Sequence, residues 1–123
     1  MKHITKEDAL RALEEAVAEK GEDYIYQYTD SDDPRNSICL YVYDGAPSCI
    51  AGDALHRLGI PLSAFEDHEG DTIDKVALRV DWPLHVDAVD VLYEAQCVQD
   101  GGRSWGEALA AAREAVRRAA VEL

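Results

Sequence analysis

The chain has little of what characterises disulfide-rich, metal-binding or membrane proteins. Its 123 residues include only three cysteines, one methionine and one phenylalanine. The odd number of cysteines, without a Cys-x-x-Cys pair, does not predict a disulfide framework, and the four scattered histidines supply no ligand pair for zinc. No apolar run approaches the roughly 20 residues that a membrane span needs. We therefore predict reduced cysteines, no bound metal or cofactor, no membrane contact and a cytoplasmic location.

Basic residues are also scarce. The chain has 12 lysines and arginines against 25 aspartates and glutamates, which gives a formal net charge of −13 at pH 7. A chain this negative repels the phosphates of nucleic acid, so we predict no direct nucleic-acid binding. Hydrophobic residues make up 47% and charged residues 30%, the composition of an ordinary globular protein. The length fits a single domain over residues 1–123.

Apolar residues at helical spacing, together with capping signals, predict several helices. Thr5 and Asp8 resemble a capping box before the first apolar stripe, and Ser104 and Glu107 form a full one before the alanine-rich last helix. Residues 72–80 fit a helix and a strand equally well by periodicity, and the Asp-Thr capping signal favours a helix. The predicted helices span residues 6–20, 49–58, 62–67, 73–80, 84–99 and 105–120.

Two runs rich in aromatic and β-branched residues, 24–29 and 38–43, predict strands. We predict that they pair as an antiparallel hairpin within residues 24–43. Helices must cover its apolar face, because a lone two-stranded ribbon is marginal in water. The predicted fold class is α+β, a mostly helical single domain of about five helices packed on this two-stranded hairpin.

Cys49 is the sharpest local candidate for catalysis. In the first turn of the predicted second helix, free N–H groups and the helix dipole would stabilise a thiolate. Asp53 and His56 follow at nearly the same azimuth, and a cysteine beside a histidine can act as a nucleophile. Alternatively, Cys49 packs as a small apolar residue, because a base one or two turns away does not usually contact a first-turn thiol. Cys49 and His56 are the candidates of a thiol-enzyme hypothesis, although the chain favours a role without catalysis.

Tyrosines and carboxylates are the candidates for binding. Five tyrosines crowd the predicted hairpin, where they could form a contact surface or sit half-buried with wet hydroxyls. Acidic residues are concentrated in residues 22–33 and 61–99, where they could contact a partner, imitate phosphates or simply keep the domain soluble. The predicted binding residues are Tyr24, Tyr26, Tyr28, Tyr41, Tyr43, Glu66, Asp67, Glu69, Asp71 and Asp74.

Two further motifs lie in residues 45–59 and 95–109. The first contains Cys-x-x-Gly-x-x-Leu, beginning at Cys49, and the second contains Ala-Gln-x-x-Gln-Asp-x-Gly-x-x-Trp, beginning at Ala95. In these motifs the chain resembles small uncharacterised proteins of actinobacteria and their bacteriophages. The resemblance implies a cytoplasmic accessory protein, related to phage proteins and acting on host machinery, but it implies no particular activity.

The leading hypothesis is a small acidic accessory protein that acts by protein–protein interaction without catalysis. Its partner would be a host or phage protein that binds the acidic and tyrosine-rich surface. One alternative is a nucleic-acid mimic that inhibits a host defence or regulatory protein. The other is a thiol enzyme that uses Cys49.

Overall fold

The computed structural model describes residues 3–26, 40–43, 45–68 and 71–121. For residues 120 and 121 it describes the backbone alone. In this part of the chain, five α-helices and a 3₁₀ helix accompany a two-stranded antiparallel sheet, which confirms the predicted α+β class. The elements are α1 (Lys6–Lys20), β1 (Val42–Tyr43), β2 (Ala46–Pro47), α2 (Ile50–Arg57), the 3₁₀ helix (Leu62–Phe65), α3 (Ile73–Ala77), α4 (Val86–Asp100) and α5 (Trp105–Val121).

The first helix, α1, has the bounds that the sequence predicts. The Thr5 hydroxyl accepts a hydrogen bond from the Asp8 N–H at 3.1 Å, and the Asp8 carboxylate accepts one from the Thr5 N–H at 3.1 Å. This reciprocal pair confirms the capping box. The buried face of α1, which packs against α2, α4 and α5, consists of Ala9, Ala12, Leu13, Ala16 and Val17.

The last two helices, α4 and α5, are joined by a tight turn and pack along each other. Gly102 adopts a φ of 84° in this turn, and the Ser104 hydroxyl then accepts a hydrogen bond from the Glu107 N–H at 3.2 Å. Trp105, the first residue of α5, is fully buried, and its ring meets Tyr24 edge-on with centroids 4.8 Å apart. Small buried side chains on both helices allow close approach of the helix axes: Ala88, Ala95, Ala108 and Ala112.

The hairpin is displaced from its predicted position. Val42 pairs with Pro47 and Tyr43 with Ala46, on either side of Gly45, whose φ is 75°. Residues 27–39, which include residues 27–29 and 38–39 of the two predicted strands, lie outside the described residues. Ile25 forms an isolated antiparallel bridge with Ser104 instead. Gly45, with its positive φ, therefore lies between two paired strands.

Gly52 brings α2 against the segment that precedes the hairpin. A Cβ atom added to Gly52 would lie 2.5 Å from the Tyr41 carbonyl oxygen, which no real side chain tolerates. In the same region, the Tyr41 carbonyl accepts a hydrogen bond from the Ser48 N–H at 2.9 Å. A glycine inside α2 therefore has a packing reason, namely that the backbone of another element lies directly against it.

The ambiguous segment 72–80 forms a helix, although a shorter one than predicted. It comprises Ile73–Ala77 and ends before Leu78, whose side chain is 89% exposed. Ile73 and Val76 are fully buried. The 3₁₀ helix likewise begins at residue 62, as predicted, but ends at Phe65, two residues before the predicted end at residue 67. Phe65 is its buried residue.

Candidate functional site

The two residues of the thiol-enzyme hypothesis lie apart on α2. Cys49 is the N-cap of this helix, and its Sγ atom accepts a hydrogen bond from the Gly52 N–H at 3.4 Å. The Cys49 side chain is 0% exposed, whereas His56 lies on the exposed side of the last turn. A thiol without exposed surface gives a substrate no access. This geometry makes Cys49 the buried N-cap of α2 and does not bring His56 to its thiol.

His56 instead lines a charged groove of about 350 Å³ between α1, β2 and α2. In this groove the Asp53 carboxylate, 7% exposed, accepts a hydrogen bond from Arg57 Nε at 2.7 Å, and Arg57 also pairs with Glu19. Burial, the largest influence, lowers the pKa of Arg57. The hydrogen bonds and charges of Asp53 and Glu19 outweigh it, so that the pKa lies above its usual value. The guanidinium thus remains charged and ties α1 to α2.

Two tyrosines of the predicted contact surface are core residues. Tyr26 is 4% exposed and Tyr41 is 0% exposed. The Tyr26 hydroxyl accepts a hydrogen bond from the Leu40 N–H at 3.2 Å. The Tyr41 hydroxyl donates to the Asp71 carbonyl at 2.6 Å and accepts from Gln96 Nε2 at 3.2 Å. Because both hydroxyls have internal partners, both rings can be buried, and the prediction of an exposed tyrosine face is wrong for these two residues.

The other tyrosines of that set differ in exposure. Tyr24 is half-buried against Trp105, and the Lys20 ammonium lies 5.5 Å from its ring centre. Tyr43, on β1, is 41% exposed. Tyr28 lies outside the described residues. The tyrosines that the structure describes therefore form no continuous contact surface.

The acidic candidates begin directly after the 3₁₀ helix. Glu66 and Asp67 are exposed, and neither has an ion-pair partner among the described residues. We call these two carboxylates the acidic rim. Glu69, the next acidic candidate, lies outside the described residues.

Asp71 and Asp74, which flank the start of α3, are engaged locally. The Asp71 carboxylate forms an ion pair with Arg79 at 2.7 Å. The Asp74 carboxylate accepts a hydrogen bond from the Thr72 hydroxyl. These contacts give both aspartates a local role in holding the polypeptide around α3.

A groove of about 460 Å³ lies between the hairpin and the 3₁₀ helix. Apolar side chains form most of this hairpin groove, and the acidic rim begins at one edge. Its lining residues are Val42, Gly45, Leu62, Ser63, Phe65 and Glu66. The structure thus joins one predicted binding residue, Glu66, to apolar residues that the sequence did not single out.

Two buried glutamines of α4 position the short helices near this groove. Gln96 Oε1 accepts a hydrogen bond from the Ile73 N–H at 2.8 Å, and Gln99 Oε1 accepts one from the Ile50 N–H at 2.7 Å. Ile73 and Ile50 begin α3 and α2, where helix N–H groups lack intrahelical partners. The sequence signal for this role was a pair of glutamines, three residues apart, next to the apolar stripe of α4.

A second acidic groove, of about 370 Å³, runs between α4 and α5. Asp87, Asp90 and Glu94 line it from α4 at helical spacing, together with Tyr93. Across the groove, Arg118 of α5 forms an ion pair with Glu94 at 3.5 Å. The predicted acidic segment 61–99 includes these three carboxylates, but the sequence did not single them out as site residues.

The pKa of Tyr93 reflects the negative charges around the groove between α4 and α5. A hydrogen bond with Cys97 is the first cause that raises the pKa of Tyr93 above its usual value, followed by the charges of Cys97 and Asp74. Burial and the charge of Glu94 act in the same direction. Negative charges on both α3 and α4 therefore act on the Tyr93 hydroxyl.

Metal binding and membrane insertion have no visible basis in the part of the chain that the structure describes. There, no three histidine, cysteine or carboxylate side chains gather closely enough to hold a metal ion. None of the helices there combines the length and apolarity needed to cross a membrane.

Comparison of the chain with protein-family models, with curated proteins and with solved structures found no match. The grooves, their charges and the burial of the candidate residues therefore provide the observations that bear on function.

Proposed function

We propose that this protein is a non-catalytic interaction protein that binds another protein at the hairpin groove and its acidic rim. One observation carries the proposal: Glu66, an exposed carboxylate, lines one edge of an apolar groove and is followed in the chain by the exposed Asp67, and neither has an ion-pair partner among the described residues. Protein-contact surfaces commonly combine an apolar centre with a polar, solvent-accessible rim. The hairpin groove and the acidic rim have this arrangement on a small scale.

Some carboxylates on other helices differ from the acidic rim because they are paired with cations. Glu14 of α1 pairs with Arg113 of α5 at 3.2 Å, and Glu114 pairs with Arg117 at 2.7 Å. These carboxylates already have cations beside them, whereas the acidic rim leaves its negative field open to a partner. Such charges steer association and fix orientation more than they add affinity.

The sequence resemblance supports a host or phage protein as the partner and the cytoplasm of a bacterial host as the compartment. The net charge of −13 supports a partner with a basic surface. A nucleic-acid-binding protein would meet this requirement, and the protein would then act as a nucleic-acid mimic. The carboxylates of the groove between α4 and α5, Asp87, Asp90 and Glu94, favour this second candidate because they are spaced along one helix face, as a phosphate mimic requires.

Capture from an actinobacterial lysate tests the proposal with three baits: the wild-type protein, the E66Q/D67N variant and the E15Q/D23N variant. Glu15 and Asp23 are exposed and do not line the hairpin groove, so the third bait matches the charge change of the second. We expect a partner that wild type and E15Q/D23N retain, that E66Q/D67N loses and that added salt releases. Equal recovery of all proteins by the three baits would contradict the proposal.

Competition by duplex DNA separates the two candidate functions. If the captured partner is released by DNA, the protein occupies a nucleic-acid-binding surface, as mimicry requires. If DNA leaves the complex intact while E66Q/D67N still abolishes it, mimicry is wrong and the general interaction function stands.

A further inference from the structure

The floor of the hairpin groove is apolar and preformed. Phe65, which is fully buried, stacks on Tyr41 with ring centroids 5.1 Å apart and meets Trp82 edge-on at 5.3 Å. Val42 from β1 and Leu62 from the 3₁₀ helix are half-buried beside it. Since Phe65 is fixed by rings on two sides, it gives Val42 and Leu62, which the ligand would contact, a support that needs little rearrangement.

A negative charge lies at one edge of the groove. Glu66 follows Phe65 directly in the chain, and Asp67 follows Glu66. Among the lining residues that the structure describes, Glu66 is the charged one. An occupant would therefore place an apolar group on the floor and a positive charge at the edge.

The size of the groove limits what can enter it. Its volume of about 460 Å³ lies within the range of roughly 300–1,000 Å³ that is typical of small-ligand pockets. This space suits one aromatic or branched aliphatic side chain rather than a whole helix face. Consecutive residues of a peptide lie about 3.8 Å apart, so a residue next to that side chain can reach the edge of the groove.

We infer that the occupant is an extended segment of the partner protein that inserts one large apolar side chain between Val42 and Leu62, above the buried Phe65, and sets an adjacent arginine or lysine against Glu66 and Asp67. This inference rests on the proposed function and specifies the chemistry of the partner. The buried side chain supplies most of the affinity, because central desolvated anchors dominate interfaces. The cation selects basic segments over acidic ones.

Synthetic peptides test the inference without a known partner. The first peptide carries one leucine followed by two arginines, the second has glycine in place of leucine, and the third has glutamates in place of the arginines. We expect the first to bind the full chain, the second to bind at least about tenfold more weakly, and the third not to bind, as measured by NMR titration.

Two variants locate the peptide on the protein. Ser63 is exposed and lines the groove, so S63W should fill the groove and weaken binding of the leucine peptide about tenfold. A110W adds the same side chain at an exposed position of α5 and should leave binding unchanged. E66Q/D67N, which leaves the groove open, should weaken binding roughly two- to fivefold and reduce its salt dependence.

The contrary outcomes separate this inference from the proposed function. Equal binding of the leucine and glycine peptides, or unchanged binding by S63W, would overturn the apolar anchor. If no peptide binds at millimolar concentration while the lysate partner is still lost with E66Q/D67N, this occupant is wrong and the interaction function stands.

A second copy of the chain is the other occupant that the test must recognise. Leu78 is 89% exposed and is followed by Arg79, so it offers a similar pair of side chains. Concentration-dependent self-association that L78S and S63W both abolish would overturn the inference in favour of this second copy.

Discussion

The two halves of this molecule are stabilised differently. The long-helix half consists of α1, α4 and α5, each of 15 to 17 residues, and packs through alanine and branched aliphatic side chains. The short-element half consists of β1, β2, α2, the 3₁₀ helix and α3, which have two to eight residues each. Elements this short are not stable alone, so contacts with the other half must hold them.

Polar side chains supply several of those contacts. Gln96 and Gln99 of α4 accept hydrogen bonds from the first residues of α3 and α2, and the Tyr41 hydroxyl joins Gln96 to the Asp71 carbonyl. The short-element half also contains the hairpin groove and the acidic rim. The long helices thus act as a scaffold on which short, irregular segments present the candidate binding surface.

Gly52→Val should have the largest effect, because it forces the two backbones apart where α2 meets Tyr41. Even the first side-chain carbon would lie 2.5 Å from the Tyr41 carbonyl oxygen. We expect a loss of about 3 kcal/mol or more in the free energy of unfolding, measured by urea denaturation. Gly101→Ala is the control, since its Cβ would lie 3.4 Å from the Val98 carbonyl oxygen, in an exposed turn. An equal loss in both variants would contradict the close approach at Gly52.

Gln96→Leu and Gln99→Leu should each cost about 1–3 kcal/mol, because each leaves a helix N–H buried without its acceptor. Hydrogen exchange should show the loss of protection chiefly in α3 for Gln96→Leu and in α2 for Gln99→Leu. Cys97→Ser, at an exposed position of the same helix, should change stability by less than about 0.5 kcal/mol. Protection lost uniformly along α4 would instead show that the glutamines support only their own helix.

Asp53 and Glu19 bind the same guanidinium, but Asp53 is more buried than Glu19. Substitution of Asp53 should therefore lower the stability more than substitution of Glu19. Asp53→Asn should lower the free energy of unfolding by about 1–3 kcal/mol, since the Asp53 side chain is 7% exposed and accepts a hydrogen bond from the charged Arg57 guanidinium. Glu19 is 64% exposed, so Glu19→Gln should lower the free energy of unfolding by less than about 1 kcal/mol. Thermal unfolding of the two variants checks the order, and a larger loss for Glu19→Gln would reverse the assignment.

The smallest effect concerns the ionisation of Tyr93, where the two halves meet. Asp74 on α3 raises the pKa of Tyr93 on α4, so Asp74→Asn should lower that pKa. Cys97→Ala should lower it as well, because the hydrogen bond from this side chain is the first cause of the rise. Residue-resolved NMR over the alkaline range measures both shifts. A Tyr93 pKa that does not respond to Asp74→Asn would show that α3 does not lie beside it.

The sequence alone was sufficient to predict the helices of the long-helix half. Capping residues and an apolar stripe of period 3.6 predicted α1 and α5 to within one residue and α4 to within two. Local signals determine such helices, because each forms one continuous buried face. A glycine inside an apolar helix is likewise a local signal of a close backbone contact, and the structure has such a contact at Gly52.

The short-element half required tertiary information. Tyr26 and Tyr41 had the spacing of strand residues, yet both are buried, because Leu40, Asp71 and Gln96 provide partners for their hydroxyls. The hairpin groove joins segments that are distant in the chain, so no local pattern could predict it. Of the candidate surface, the sequence identified the acidic rim but not the apolar floor beside it.

Hydrogen exchange of the chain alone and with its captured partner tests the proposed binding surface most directly. We predict that the partner increases protection in residues 40–43 and 62–67 and leaves the outer faces of α1 and α5 unchanged. Protection confined to α1 or α5, with no change at the hairpin and the 3₁₀ helix, would contradict the proposed function.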